Sequence, residues 1–362
     1  MIFVDLGGEI FADLMVYVQI SRALNSRTRK GNMSSNRMKQ VIITEPGGVE
    51  KLAYEDVAVP QPKADEVLVK VYAFGINRPD ILQRQGLYPM PKGVTPVPGL
   101  EVAGEVVAIG EDVSLFKLGD KVCGLTNGGG YAEYCVVPES QTITIPDAVS
   151  FVQAAAIPET FFTVWANVFQ MAHAKAGETL LVHGGASGIG TTALMLAQSL
   201  GLKSFATVGS DEKVEAIGHL TDAINYKTED FEKVILEKTE NAGVDIVLDM
   251  VGAPYLEQNL NLLRRDGRLV YIAFLGGAKA KEVKLGQIMM KRLTITGSTM
   301  RARNTAEKAE IAQGLMTHVA PLWEKGECLP MIYKTFQFDQ IQAAHASMDT
   351  GEHIGKVVVE VI

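Results

Sequence analysis

From Met38 to about residue 150 the chain is a series of short apolar, β-branched runs separated by Pro and Gly. Lys39–Ile43 stops at a Pro46-Gly47-Gly48 turn, and Val57–Pro60, Glu66–Tyr72, Glu101–Ile109, Lys121–Gly124, Tyr131–Val137 and Gln141–Ile145 follow with almost no helical period between them. Strands so closely spaced predict an antiparallel, barrel-like β unit. The pattern changes near Ala154. Thr179–His183 is a continuous apolar run, as in a strand buried on both faces, and Ile189–Leu200 has apolar residues at helical spacing and stops at Gly201. Ser204–Val208, Asp245–Asp249, Arg268–Ala273 and Leu293–Gly297 repeat the strand pattern, with a charged helix starting at Asp211. Strands alternating with helices predict a doubly wound parallel sheet with its ligand at the carboxyl ends of the strands. A long helix from Arg303, strand-like Met331–Phe338, a short helix over Ile341–Met348 and a final strand Lys356–Val361 are expected to return the chain to the β unit.

The first residues do not share this pattern. Phe3–Ile20 is apolar but interrupted by Asp5, Glu9 and Asp13, so it reads as neither a clean membrane span nor a secretory signal. A basic polar stretch, Ser21–Asn32, and two methionines, Met33 and Met38, come next. The expected organisation is a non-essential extension over 1–37, a β-rich domain over 38–157, a dinucleotide-type domain over 158–303 and a C-terminal return over 304–362.

Composition narrows the function. At 362 residues, 47% hydrophobic and 21% charged, the chain is long enough for two cored domains. Its 34 basic against 42 acidic residues give a net charge of −8, which recruits neither nucleic acid nor an anionic membrane. The 3 cysteines lack any C-x-x-C spacing, which points to a reducing compartment, taken as the cytoplasm, and offers no thiolate zinc cluster. The 35 glycines are more than ordinary usage supplies and imply close approach of backbone to a ligand.

The most informative glycines lie in His183-Gly184-Gly185-Ala186-Ser187-Gly188-Ile189-Gly190, between a buried strand and a helix. Read as G-x-G-x-x-G, the frame is Gly185-x-Ser187-x-x-Gly190, with serine in place of the second glycine. Backbone amides and the helix dipole would face a pyrophosphate there; a ligand-free tight turn is the alternative. An NAD site places a carboxylate at the end of the second strand, where this chain has Val208-Gly209-Ser210. With Lys213 and Tyr226 within reach of a 2′-phosphate, NADPH is the expected dinucleotide.

Glu45-Pro46-Gly47-Gly48, Gly75-Ile76-Asn77-Arg78-Pro79-Asp80, Pro98-Gly99-Leu100-Glu101-Val102-Ala103-Gly104, Gly119-Asp120-Lys121-Val122, Gly128 to Tyr134, Ala154 to Thr160 and Gly184 to Gly190 occur in an ordered series. Together they resemble the NADPH:quinone oxidoreductase branch, zeta-crystallin-like, of the medium-chain dehydrogenase/reductase superfamily. Leu82 to Tyr88 and His353-Ile354-Gly355-Lys356 are further signatures of it.

The resemblance implies an α/β fold: an N-terminal GroES-like β-barrel catalytic domain plus a Rossmann doubly wound parallel-sheet coenzyme domain. Where zinc alcohol dehydrogenases of this superfamily carry a Cys and a His ligand, this chain has Asn77 and Leu100, so no metal is expected and the acceptor must take hydride readily. The expected reaction is zinc-independent hydride transfer from NADPH to a quinone; an enoyl or alkenal reductase and a non-catalytic NADPH-binding redox sensor are the alternatives. The resemblance places Asn77, Asp80 and Tyr88 near nicotinamide and acceptor, with Tyr88 as hydrogen-bond donor or simply an aromatic lid, and Asp80 as a site residue or a loop cap. The implied cofactor contacts are Asn77, Thr163, Gly185, Ser187, Gly188, Ile189, Gly190, Gly209, Ser210, Lys213, Tyr226, Asp249, Val251, Gly252, Phe274, Leu275, Gly276, Ser298, Thr299 and Lys356. A homodimer paired through the edge strand Leu293–Gly297 is the expected assembly.

Overall fold

The computed structural model describes residues 37–88, 90 and 93–362; the expected N-terminal extension lies, Arg37 apart, outside them. Among the described residues, fifteen strands form a hairpin and two sheets. β1 (Arg37–Ile43) and β2 (Leu52–Ala58) pair antiparallel, with Arg37 opposite Ala58. β2 therefore begins earlier than its apolar end suggested, because the hairpin register carries the polar Tyr54, Glu55 and Asp56 into the ladder.

A seven-stranded sheet contains β3 (Glu66–Ile76), β4 (Glu101–Ile109), β5 (Lys121–Leu125), β6 (Tyr134–Pro138) and β7 (Thr142–Thr144). Its order begins with two strands from the far end of the chain, β14 (Ile332–Gln337) and β15 (Lys356–Glu360). β15 lies antiparallel to β3, with Val357 opposite Ile76. Val69, Val71, Phe74, Val102, Val122 and Val357 fill the barrel core, which the helix Ile341–Asp349 covers with Ile341, Ala344 and Met348.

The second sheet has six parallel strands in the order β10 (Asp222–Asn225), β9 (Lys203–Val208), β8 (Thr179–His183), β11 (Val244–Asp249), β12 (Leu263–Tyr271) and β13 (Thr294–Gly297). Successive residues of β8 point to opposite faces: Leu180 and Val182 join one core cluster and Leu181 another, both fully buried. This is why the run lacks alternation: helices cover both faces. The order runs outward from β8 in both directions, so the crevice at the carboxyl ends of β8 and β11 is the switch point of the sheet. The cluster on one face continues through Phe161, Phe162 and Trp323 to Ala73, Ala103 and Cys123 of the β unit, joining the two units through a shared apolar core. Among the described residues no helix is long and apolar enough to cross a membrane.

Candidate active site

A cavity of about 430 Å³ lies between the two sheets. The end of β3 supplies Ile76 and Asn77; the turn after β8 supplies Ser187, Gly188 and Ile189; the ends of β12 and β13 supply Ile272, Ser298, Thr299 and Arg301. His353, Gly355 and Lys356 close it from the C-terminal segment.

The glycine turn is built for close approach of an anion. Gly184 has φ +72°, and a Cβ on Gly190 would stand 2.3 Å from the Gly184 carbonyl oxygen, so only glycine fits either position. Ser187, by contrast, has φ −71° and ψ 166°, open to any residue, and its hydroxyl accepts the Gly190 N–H at 3.0 Å as the helix cap. The serine that departs from the three-glycine pattern thus starts the helix Gly188–Ser199. A Cβ on Gly188 would meet Lys356 Cδ at 2.6 Å, and Gly355 N–H donates to the Ala186 carbonyl at 2.8 Å. The C-terminal segment therefore lines the turn directly.

Beneath the cavity lies a buried ionic network. Lys356 Nζ donates to Glu101 Oε1 and to Asn77 Oδ1, each at 2.6 Å, and Asn77 Nδ2 donates to Glu101 Oε1 at 2.8 Å. Glu101 Oε2 accepts the Glu159 backbone N–H at 2.9 Å. Both ends of the pair are out of water, Lys356 at 3% and Glu101 at 0% exposure. Asn77 is thus held by β4 and β15, and Lys356 presents no free ammonium to a ligand.

Asp80 does not line the cavity. It is the third residue of the helix Arg78–Arg84, and its carboxylate accepts the N–H groups of Asn77 and Gly99 and the Tyr131 hydroxyl, at 2.9, 3.2 and 3.1 Å. Burial pushes its pKa up to about 6 against those three donors. It is a helix cap locked into a buried chain that continues from Tyr131 to His345 and Arg84. Asp249 is also a structural carboxylate. It accepts from the backbone N–H of Val251 and Gly252 and from Asn259 Nδ2, and Asn259 in turn meets His183.

Of the remaining expected contacts, Asn77, Tyr88, Thr163, Ser187, Gly188, Ile189, Leu275, Ser298, Thr299 and Lys356 line the cavity. Gly185, Gly190, Val251, Gly252, Phe274 and Gly276 are not among its lining residues. Gly185 packs under β9, where a Cβ would come within 2.5 Å of Ala206 Cβ. Gly209, Ser210, Lys213 and Tyr226 gather at the carboxyl end of β9, outside the cavity. A Cβ on Gly209 would lie 3.0 Å from the Tyr226 hydroxyl. Lys213 Nζ donates to the Gly351 carbonyl at 2.6 Å; burial lowers its pKa, and neighbouring Lys227 adds to the effect. The first acid after β9, Asp211, accepts from Asn225 Nδ2 at 2.6 Å.

Sequence reading missed several cavity residues, four of which bear on its chemistry. Asn167 lies on a π-helical segment, Trp165–Met171, whose wider turn brings its amide to Thr163 and to the Ser298 hydroxyl. Arg301 sits 5.2 Å over the Tyr88 ring, donates to the Asn127 carbonyl, and leaves Nη1 buried without a partner. His353 likewise has an unpartnered Nδ1; burial, reinforced by Lys213, Lys356 and Arg78, brings its pKa down to about 4. Glu159, on the helix Pro158–Val164, is the fourth. Two orphaned donors or acceptors on the walls and a glycine turn with no room for Cβ atoms fit a polar, phosphate-bearing ligand.

The two sheets, the turn and the cleft between them define a medium-chain dehydrogenase/reductase. Residues 63–147 match the alcohol dehydrogenase GroES-like domain, and residues 188–314 match the family described as zinc-binding dehydrogenase. The chain belongs to the quinone oxidoreductase family: it is 31% identical over 327 residues to the quinone oxidoreductase of Rattus norvegicus, covering 89% of this chain and 97% of that one. Among solved structures, the CurK enoyl reductase superposes with a TM-score of 0.77 at 29% identity, over 90% of this chain and 99% of its own. The Escherichia coli quinone oxidoreductase complexed with NADPH gives 0.75 at 27% identity, over 89% and 100%.

Zinc does not fit the residues present. Asn77 has its amide held by Glu101 and Lys356, Leu100 has no donor atom, and Cys123 and Cys135 are buried with their thiol pKa values pushed up, Cys135 to about 12. Among the described residues no group of three or more His, Cys, Asp or Glu is placed to hold a metal ion.

Proposed function

We propose that the protein is a metal-independent, NADPH-dependent quinone reductase. The observation that carries this reading is the cavity itself, walled on one side by the phosphate-type turn Ser187–Ile189 and on the other by Tyr88 and an apolar set including Leu82, Leu100, Met300 and Met348. Family membership supports the acceptor class, and the NADPH complex of the Escherichia coli relative supports the cofactor.

A bound NADPH supplies hydride. The chain's part is to hold it and to receive the acceptor. The amides of Gly188 and Ile189 would hold the diphosphate, Thr163, Ser298 and Thr299 the nicotinamide end, and Ser210, Lys213 and Tyr226 the 2′-phosphate. A preference for NADPH is supported by the engagement of Asp211 with Asn225 and by the nearness of Lys227 to Lys213. Tyr88 and Arg301 offer donors to the acceptor oxygen, and the apolar walls of the cleft limit water around the charge that develops there. The three reduced cysteines suit the cytoplasm, and the open edge of β13 suits a homodimer.

An α,β-unsaturated carbonyl is the second acceptor class, favoured by the apolar lining and the enoyl reductase likeness. Loss of absorbance of the reduced nicotinamide with an ortho-quinone, a para-quinone and an enal, each with NADPH and with NADH, separates the readings. Fastest turnover of a quinone with NADPH is expected. Turnover of the enal alone transfers the site to enoyl reduction, and cofactor binding without turnover of any acceptor leaves a redox sensor.

A further inference from the structure

An acceptor that takes hydride still needs a proton, and six titratable side chains line the cavity: Arg78, Tyr88, Glu159, Arg301, His353 and Lys356. Five of them are unsuited to give it. The two guanidinium groups do not deprotonate in proteins. His353 is a neutral imidazole near pH 7, since its pKa has fallen to about 4. Lys356 is bound to Glu101, Asn77 and the Ile76 carbonyl. Tyr88, half-buried beside the Glu159 carboxyl, has a pKa raised above that of a free phenol, so it donates a hydrogen bond but holds its proton.

Glu159 differs from all of these. It stands at the first turn of Pro158–Val164, and its backbone N–H is fixed to Glu101 at 2.9 Å. Its carboxyl makes no hydrogen bond among the described residues, so only the charges of nearby Lys356 and Lys308 stabilise its ionised form. Glu101 and Glu159 both lie near Lys356, whose ammonium is in contact with the first of them at 2.6 Å. Lys308, the other cation near Glu159, has its ammonium on Asn127 Oδ1 at 2.8 Å. Like charge and burial then favour the protonated form of the second carboxyl.

We propose that Glu159 is the proton donor of this site. This rests on the quinone reductase reading. The acceptor gains two electrons and a hydrogen nucleus as hydride from the dihydronicotinamide, which becomes nicotinamidium. The Glu159 O–H bond breaks, a new O–H bond forms on the reduced acceptor, and water reprotonates the carboxylate. Burial, with Glu101 and then Asp80 adding to it and Lys356 and Lys308 opposing it, pushes the Glu159 carboxyl up to about 8, a value matched to work near neutral pH.

The test begins on the cofactor-free protein. Infrared difference spectra from about pH 6 to about pH 10 should show a protonated carboxyl band that titrates near 8 in the wild type and is missing in Glu159→Gln. With an ortho-naphthoquinone and NADPH, kcat of the wild type should fall as pH rises through the same value. Glu159→Gln should lose that limb and roughly 10- to 100-fold in kcat, with the KM for NADPH little changed. A band that persists in the variant, or an unaltered limb, overturns the proposal and leaves water as the proton source. If Glu159→Gln does not fold, Glu159→Asp decides: a displaced limb supports the role and an unchanged profile removes it. A wild type that titrates as expected yet reduces no quinone overturns the acceptor reading and the proton role with it, while the spectrum still identifies the buried acid.

Discussion

Lys213 and Ser187 illustrate how far single residues can be read. Ser187 breaks the three-glycine frame, and its extended φ of −71° with a cap to Gly190 explains why no glycine is needed there. The missing carboxylate after Val208 was visible in sequence, and the structure adds Lys227 as a second cation beside Lys213. Glu101 and Glu159 were not legible as a pair. They lie 58 positions apart, and a carboxylate's burial is set by strands and helices that meet only in the fold. Asp80 was legible as a turn residue, and its role as the cap of Arg78–Arg84 follows from Asn77 three positions before it. Lys213→Met should raise the KM for NADPH by roughly 10- to 100-fold, the loss of a charge-assisted contact worth about 1.5–3 kcal/mol, and leave that for NADH almost unchanged. Steady-state kinetics with both cofactors measures this; equal losses would detach Lys213 from the 2′-phosphate.

Strands and helices were legible where their period was strong. β8, β11 and the helix Gly188–Ser199 fall within a residue of their expected bounds, because continuous apolar runs and a clean cap mark them. β12 starts at Leu263 rather than Arg268 and ends at Tyr271 rather than Ala273; its early part is hidden in sequence because the polar Arg264, Arg265 and Asp266 fall at a register shift against β11. The π-helical Trp165–Met171 has no sequence mark at all, yet it orients Asn167. The tie between β15 and β4 is the ion pair Lys356–Glu101, which is far from water and hence costly to break from one side. Lys356→Met should destabilise the protein by about 3–5 kcal/mol, and adding Glu101→Gln should recover part of the loss. Urea unfolding of both variants reads this coupling; additive losses would deny it.

At the scale of the whole molecule, the two-unit architecture followed from the shift between closely spaced strands and strand–helix alternation near Ala154. Their common core was not foreseeable, because Phe161, Phe162 and Trp323 read as ordinary helix residues until both sheets are in place. β13 leaves Thr294, Ile295 and Gly297 exposed at the sheet edge beside Met289 and Met290 of the helix Leu285–Lys291. With this edge as a two-fold interface, Ile295→Lys should convert a dimer to a monomer in light scattering while each monomer keeps its melting behaviour. A wild type that is already monomeric removes the interface. Finally, Gly355 and Lys356 meet the glycine turn from the last strand of the β unit. A ribosome making this chain finishes the six parallel strands before it emits residue 356, so the crevice stays without its far wall until that residue has emerged. The grip of the crevice on a nucleotide is therefore complete only once Gly355 and Lys356 have joined the fold.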